Sequence, residues 1–493
     1  MSDITITKKS EVYLRIDTDP SISQELNDFF TFDVPNAKFH PLYKSRMWDG
    51  KIHLFSMFTK ELYVGLKEYV EKFALDRDYS VDLTKYVNKS DDCSLDEITK
   101  FCNNLKLSAR GNSIDIRDYQ IDAIHTAIVN GRRLLLSPTA SGKSLIIYSL
   151  LRWHNSKGRR QLIIVPTTSL VEQMYSDFQD YSFINGWKVS ENCHRIYGGA
   201  EKSNDWNIVI STWQSIYKLP KKFFESFDCI YGDECHLFKA KSLQSILNKC
   251  ENSPYRIGTT GTLDGSQTHK LVLEGLFGPV FKVTTTKKLI EEKRLADLQI
   301  YNIILEYSQE IRKFNKDNDY QKEIDFIVQH HPRNKFIRNL ALKQIGNTLI
   351  LFQFVEKHGK ILYDMILEKA DNRKVFFVFG GTKTEQREQI RELTDKENNA
   401  IIVASYGTFS TGINIPSLQN IIFASPSKSR VRNLQSIGRG LRKNNDKDVC
   451  NLYDIADDLS WKTHKNYTLL HMIERIKIYN DEHFNYKLVK VQL

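Results

Sequence analysis

Within LLLSPTASGKSLIIY, Leu134–Tyr148, Ser137, Pro138, Thr139, Ala140, Ser141, Gly142, Lys143 and Ser144 have the types and spacing to hold a polyphosphate. The apolar run before Ser137 reads as a buried strand and the run after Lys143 as a helix, so backbone N–H groups and the positive helix end face the turn between them. Lys143 is placed to reach the β- and γ-phosphates, and the Ser144 hydroxyl to ligate Mg²⁺. The strict pattern has Gly where this chain has Ser137, so the match is GK[ST] with a Ser opening. Ninety residues on, CIYGDECH puts Asp233 and Glu234 after another apolar run. Asp233 is placed to hold Mg²⁺ through water and Glu234 to polarise the water that attacks the γ-phosphate. Thr259, Thr260 and Thr262 follow a further short strand, with hydroxyls that can sense whether the two acids are engaged. Tyr119 and Gln120 head a helix one element before the phosphate turn, where a Gln amide can pair with the adenine edge. ATP with Mg²⁺ is the ligand this set implies.

These groups need a scaffold that brings strand ends together. Gln161–Pro166 and Ile208–Ile210 are further apolar runs alternating with helical stretches, the pattern of a parallel sheet whose ligands lie beyond the carboxyl ends of its strands. Thr167 and Thr212 sit at two such ends, where a hydroxyl contacts nucleic-acid phosphate or, equally, caps the following helix.

The chain has 493 residues, enough for about three domains, and a formal net charge of +10 from 70 Lys and Arg against 60 Asp and Glu. That excess suits a polyanion, and nucleic acid is the first candidate. No apolar run approaches a membrane span, and the N-terminus has no apolar signal region, so a cytoplasmic protein is expected. Seven scattered cysteines without a C-x₂-C pair read as reduced thiols and not as metal ligands. Residues 1–90 read as a small α+β module. Within it, Lys38–Phe55 interleaves Lys38, Lys44, Arg46 and Lys51 with Phe39, Tyr43, Trp48 and Phe55: cations for phosphates, rings for bases, with Trp48 and Phe55 equally placed to be core. Residues 91–114 read as a polar linker.

Arg117-Asp118-Tyr119-Gln120, PTASGKS, VPTTSLVEQ, STWQS, Asp-Glu-Cys-His and Thr-Gly-Thr, in this order, resemble the Q-motif and motifs I to III of superfamily 2 DExH helicases. Leu349–Phe354, FVFGGTKTEQRE, Ile401–Pro416 with Thr411 and Gly412, and QSIGRGLR with Gln435, Arg439 and Arg442 resemble the motifs of a second lobe. The resemblance implies an α/β protein of two RecA-like parallel-sheet lobes, 115–290 and 291–450, after a small α+β N-terminal domain, with a helical tail over 451–493. It implies that Lys143, Asp233, Glu234, Gln435, Arg439 and Arg442 carry ATP hydrolysis. Arg439 and Arg442, three apart on one helix face, act as arginine fingers; Gly412 touches nucleotide and Thr411 nucleic acid. Part of the basic run from Lys428 to Lys447 serves the backbone or forms a solvated face.

FHPLYKSRMWDGKIHLF, ASYGTFSTGI and DEHFNYKLVKVQL resemble the UvsW-type helicases of T-even bacteriophages over the full length. That resemblance implies an ATP-dependent DNA motor, expected to be a monomer, acting in the host cytoplasm on duplex and branched DNA: stalled forks, Holliday junctions and R-loops with their RNA–DNA hybrids, in recombination, repair and replication. An RNA helicase shares the motifs but usually carries large C-terminal accessory domains. A restriction-type translocase would need a nuclease constellation, and Glu291-Glu292-Lys293 has no upstream Asp in a strand context. An ATP-regulated clamp or annealing protein would tolerate loss of Lys143, Asp233, Glu234, Arg439 or Arg442, and all are present.

Overall fold

The computed structural model describes residues 2–493 apart from 35–36, 200, 204, 239–240, 409–417, 426, 428 and 442–447, and it leaves the side chains at 384, 385, 387, 388, 391 and 395 undescribed. The chain forms two compact units, one of Met1–Ser137 and Gly142–Val283, the other of Pro138–Ser141 and Thr284–Leu493.

The first unit opens with β1 (Ile4–Lys8) and β2 (Tyr13–Thr18), antiparallel to each other. The helix Pro20–Phe29 follows, capped by Asp19, whose carboxylate accepts from the backbone of Ser21 and Ile22. Next come β3 (Thr31–Asp33) and β4 (Lys51–His53), which pair with each other, and then β5 (Glu61–Tyr63) and β6 (Val81–Asp82). The four-stranded sheet runs β5-β2-β1-β6. The basic-aromatic stretch 34–50 is therefore an excursion between β3 and β4. Residues 95–113, read as linker, are structured. The helix Leu95–Asn104 buries Ile98 and Cys102, and a short hairpin of β7 (Ser108–Ala109) and β8 (Asn112–Ser113) follows.

The larger sheet of this unit has seven parallel strands: β9 (Arg132–Leu136), β10 (Gln161–Val165), β11 (Cys193–Ile196), β12 (Ile208–Thr212), β13 (Cys229–Gly232), β14 (Tyr255–Thr260) and β15 (Val280–Lys282). Their order is β11-β12-β10-β13-β14-β9-β15. β10, β12, β13 and β14 are buried at every position, the apolar runs Leu162–Val165 and Ile208–Ile210 among them. β13, β14 and β9 are adjacent, so the turns after them share one edge of the sheet. One apolar core runs from Ile4, Leu14 and Phe73 of the N-terminal layer to Leu134, Ile230, Leu273 and Phe277 of the larger sheet.

The second unit holds another seven parallel strands: β16 (Asp297–Glu306), β17 (Asn347–Phe352), β18 (Val375–Val378), β19 (Ile401–Ser405), β20 (Leu418–Phe423), β21 (Val449–Asp458) and β22 (Tyr486–Gln492). They are ordered β18-β19-β17-β20-β21-β16-β22. The two parallel sheets and the smaller preceding layer match the expected architecture. The expected helical tail over 451–493 does not hold: those residues supply most of β21 and all of β22, with the helix Tyr467–Asp481 between them. β22 is an edge strand exposed at four consecutive positions, so it lacks the in-out alternation that identifies strands in sequence. Two buried ion pairs pin this end: Arg333 donates to Asp457 at 2.7 Å, and Arg475 lies 2.8 Å from Asp454, which also accepts from Tyr479.

Candidate active site

The phosphate turn leaves β9 at Leu136 and enters the helix Lys143–Ser156. Ala140 at φ 65° and Gly142 at φ 86° put two left-handed residues into it, a backbone form that turns successive N–H groups toward an anion. The Ser141 hydroxyl donates to the Pro138 carbonyl at 2.6 Å, and Ser137 N–H donates to the Thr260 carbonyl at 2.9 Å, tying the start of the turn to the end of β14. Gly142 is required twice: by its φ, and because a Cβ there would lie 2.2 Å from the Gln120 amide nitrogen. Gln120 thus lies against the phosphate turn, 2% exposed, its Oε1 accepting from Arg117 N–H at 3.0 Å. The Tyr119 hydroxyl accepts from Arg117 at 2.6 Å.

Lys143, at the first turn of the helix, meets Glu234 Oε1 at 3.1 Å. Glu234 itself is left-handed, φ 51° and ψ 49°, an uncommon backbone for a non-glycine and one that concentrates at working sites. Asp233 is buried and accepts from the Thr259 hydroxyl at 2.7 Å. The His236 ring nitrogen Nδ1 lies 3.3 Å from Glu234 Oε2 and 3.2 Å from the Thr260 hydroxyl. Burial and the charge of Glu234 push the Asp233 carboxyl above its ordinary value. Burial works the same way on Glu234, yet the Lys143 ammonium and the hydrogen bond from His236 outweigh it and hold Glu234 below the usual carboxylate range. Glu234 is therefore the more acidic member of the pair. His236 was not singled out in the sequence as a working residue; only its place in Asp-Glu-Cys-His marked it.

Mg²⁺ prefers hard oxygen donors, and the Ser144 hydroxyl, shared here with Tyr181, and the Asp233 carboxylate supply that chemistry. Among the described residues no cluster of three or more His, Cys, Asp or Glu offers another metal site, and all seven cysteines are buried thiols outside any disulfide.

Elsewhere in the first unit, Thr167 caps the helix Thr168–Ser182, accepting from Leu170 N–H at 3.3 Å, and the Thr212 hydroxyl bonds that of Ser215 at 2.9 Å. In the 34–50 excursion Lys44 and Arg46 are exposed, with Phe39 65% and Met47 78% exposed beside them. Trp48 is half-buried, donating to the Lys51 carbonyl at 2.7 Å and packing edge-on against His40, whereas Phe55 is core.

In the second unit the helix Arg430–Gly440 carries Gln435 and Arg439, both half-buried. Arg430 pairs with Asp481 and Glu482, and Arg432 lies over the Tyr406 ring. Thr411, Gly412 and Arg442 lie outside the described residues.

Three family models match in chain order: the N-terminal model of DNA helicase UvsW over residues 3–84, the type III restriction enzyme res subunit over 113–265, and the helicase conserved C-terminal domain over 332–444. The ATP-dependent DNA helicase uvsW of Enterobacteria phage T4 is 36% identical over 510 aligned residues, covering 100% of both chains. The chain belongs to the UvsW helicase family. The crystal structure of T4 UvsW matches with a TM-score of 0.52 and 34% identity over 99% of each chain. A DNA 3'-5' translocase, XPB2 of Sulfurisphaera tokodaii, is 25% identical over 67% of this chain and 80% of its own. As a UvsW-type helicase, the protein uses ATP, and hydrolysis coupled to unwinding is its enzymatic activity. No described helix is long and apolar enough to cross a membrane.

Proposed function

We propose that this helicase works on branched DNA, remodelling forks, migrating four-way junctions and unwinding R-loops, with Lys38–Phe55 of the N-terminal layer gripping duplex backbone. The observation that carries this reading is the excursion between β3 and β4, where Lys38, Lys44 and Arg46 stand among exposed Phe39, Tyr43 and Met47, built on the unit that contains Lys143, Asp233 and Glu234. Cations beside rings suit a polyanion with stacked bases, and the absence of a fixed register against base edges suits a motor that must keep moving.

In this reading Ser144 and Asp233 would hold Mg²⁺, whose chemistry is to neutralise phosphate charge. Lys143 binds the β/γ-phosphates, Glu234 takes a proton from the attacking water, and Arg439 and Arg442 neutralise charge growing on the γ-phosphate. Arg439→Ala is then expected to lower kcat by about 10³-fold or more with ATP affinity nearly unchanged.

The test is ATPase and unwinding measured side by side on a four-way junction, linear duplex, single strands and RNA, followed by a salt titration of junction binding. Preference for the junction, and a log K against log[salt] slope flattened by up to about 1.8 in the Lys44→Ala/Arg46→Ala variant, are expected. Equal activity on RNA, or an unchanged slope, overturns the corresponding half of the reading.

A further inference from the structure

The helix Gln267–Phe277 is buried at eight of its eleven positions. A helix covered all round is packed on more than one side, and this one touches the catalytic turn at its start and the N-terminal layer at its end.

At its first turn Ser266 caps the backbone N–H of His269. His269 is 5% exposed; its Nε2 donates to the backbone carbonyl of His236 at 3.0 Å, and its Nδ1 lies 2.9 Å from Asp264 Oδ1. Asp264 is fixed in turn, accepting from the Ser266 backbone at 2.9 Å and the Ser266 hydroxyl at 2.8 Å. Burial would raise the Asp264 carboxyl, but these bonds and His269 hold it below its ordinary value. The His236 backbone is thus held by His269, while the His236 ring lies against Glu234 and Thr260. Only Cys235 lies between Glu234 and the residue whose carbonyl is anchored, and Glu234 sits in a left-handed conformation that its surroundings must maintain.

At its last turn Glu274 is 3% exposed. It accepts from the Tyr69 hydroxyl at 2.7 Å and from Val280 N–H at 3.1 Å. A Cβ on Gly65 would lie 1.9 Å from the Glu274 carbonyl oxygen. Over about 16 Å of rigid helix, the same element therefore meets the Asp233–His236 turn and the layer that carries the basic excursion.

We propose that His269, oriented by Asp264, is a positioning residue for ATP hydrolysis, and that its helix makes the catalytic turn answer to nucleic acid held by the N-terminal layer. His269 acts through the His236 carbonyl and sets the backbone that aims Glu234. The second half rests on the proposed role of Lys38–Phe55 in gripping DNA.

The experiment uses the full chain with His269→Leu, His269→Gln, Asp264→Asn and Tyr69→Phe. Each is assayed for melting temperature, binding of a fluorescent ATP analogue, junction binding, and ATPase with and without a four-way junction. His269→Leu is expected to lower kcat by about ten- to a hundredfold, the scale of a catalytic group displaced by an ångström or less, with nucleotide affinity unchanged. His269→Gln, whose amide can still donate to the His236 carbonyl, restores most of the rate. Tyr69→Phe, far from the nucleotide, is expected to keep the DNA-free rate and junction affinity while reducing the stimulation that DNA gives. Full kcat in His269→Leu, or a rate loss in both His269 variants that tracks melting temperature or nucleotide affinity, overturns the positioning role. Normal stimulation in Tyr69→Phe overturns the coupling. Wild-type junction binding by the Lys44→Ala/Arg46→Ala variant removes the grip itself and leaves the His269 result standing.

Discussion

Lys143 and Glu234 already hold each other at 3.1 Å, so a γ-phosphate entering the turn competes with a carboxylate for the same ammonium. In the proposed mechanism Lys143 then turns to the phosphate and frees Glu234 to meet the attacking water. Lys143→Ala is therefore expected to lose both nucleotide binding and turnover, whereas Glu234→Gln loses turnover and keeps binding. Equilibrium binding of a fluorescent ATP analogue beside steady-state ATPase separates the two, and equal loss of binding would take Glu234 out of its role. A second residue makes a prediction about stability. His154 is fully buried, and its Nδ1 accepts from Arg159 at 2.9 Å, which fixes it as neutral with the proton on Nε2. Burial and the Arg159 charge push its pKa down to about 3, against about 6.5 in an unfolded chain. Between those values the unfolded chain binds a proton that the native ring refuses. The contribution is complete above pH ~6.5 and is lost as pH falls, by up to about 1.4 kcal/mol per pH unit. His154→Gln should shrink the stability difference between pH 7 and 5.5 by about 1 kcal/mol in urea unfolding; an unchanged difference would mean that the native ring protonates. Residues of the first kind were legible in sequence because phosphate chemistry compresses them into contiguous motifs. His269 and Asp264 were not, since they act through a carbonyl on another element and no spacing encodes that contact.

At the scale of elements, the strands that end in chemistry were readable because a doubly covered parallel strand is built on an apolar run, and Leu162–Val165 and Ile208–Ile210 are such runs. β22 was not readable, because an exposed edge strand keeps neither an apolar run nor an alternation. Nor was the joint around Gly65. Its residue type is explained only by the Glu274 carbonyl that occupies the space of a side chain. Gly65→Ala must push backbone against backbone, and a cost of about 1–3 kcal/mol is expected. Thermal unfolding should show the loss, while Gly186→Ala, where a Cβ would meet open space but φ is 71°, reports the separate cost of backbone strain. A Gly65→Ala protein as stable as the parent would mean that the layer can shift away from the helix at little cost.

For the molecule as a whole, the composition implied a detachable N-terminal module and a loose linker, and on that basis removal of residues 1–90 should leave a soluble ATPase. The packing of the first unit points the other way. The core is continuous from Ile4 to Phe277, Arg132 at the base of β9 is 5% exposed and pairs with Glu11 at 2.6 Å, and Asp91 binds Arg159, Trp153 and Tyr255. Burial alone would raise Asp91, but those donors hold its carboxyl well below the ordinary range. A chain of residues 91–493 is expected to aggregate or to unfold far below the full-length protein, because the helix Gln267–Phe277 would lose its cover. Size exclusion and calorimetry check this, and a monomeric, cooperatively unfolding truncation would show that the layer is dispensable to the fold.

β16 has its consequence elsewhere, on the ribosome. Its partner β21 pairs Asp297 with Val449 and its other partner β22 pairs Ile300 with Tyr486. At bacterial to eukaryotic synthesis rates of about 5–20 residues per second, the interval between making the strand and making its first neighbour is roughly eight to thirty seconds. For that time DLQIYNIILE emerges as a ten-residue strand, with Ile300, Ile303 and Leu305 destined for burial and no edge yet made to receive it. A nascent chain in that condition is a client for a holding chaperone, and slowed translation between residues 306 and 449 should increase its aggregation more than a pause of equal length before 297.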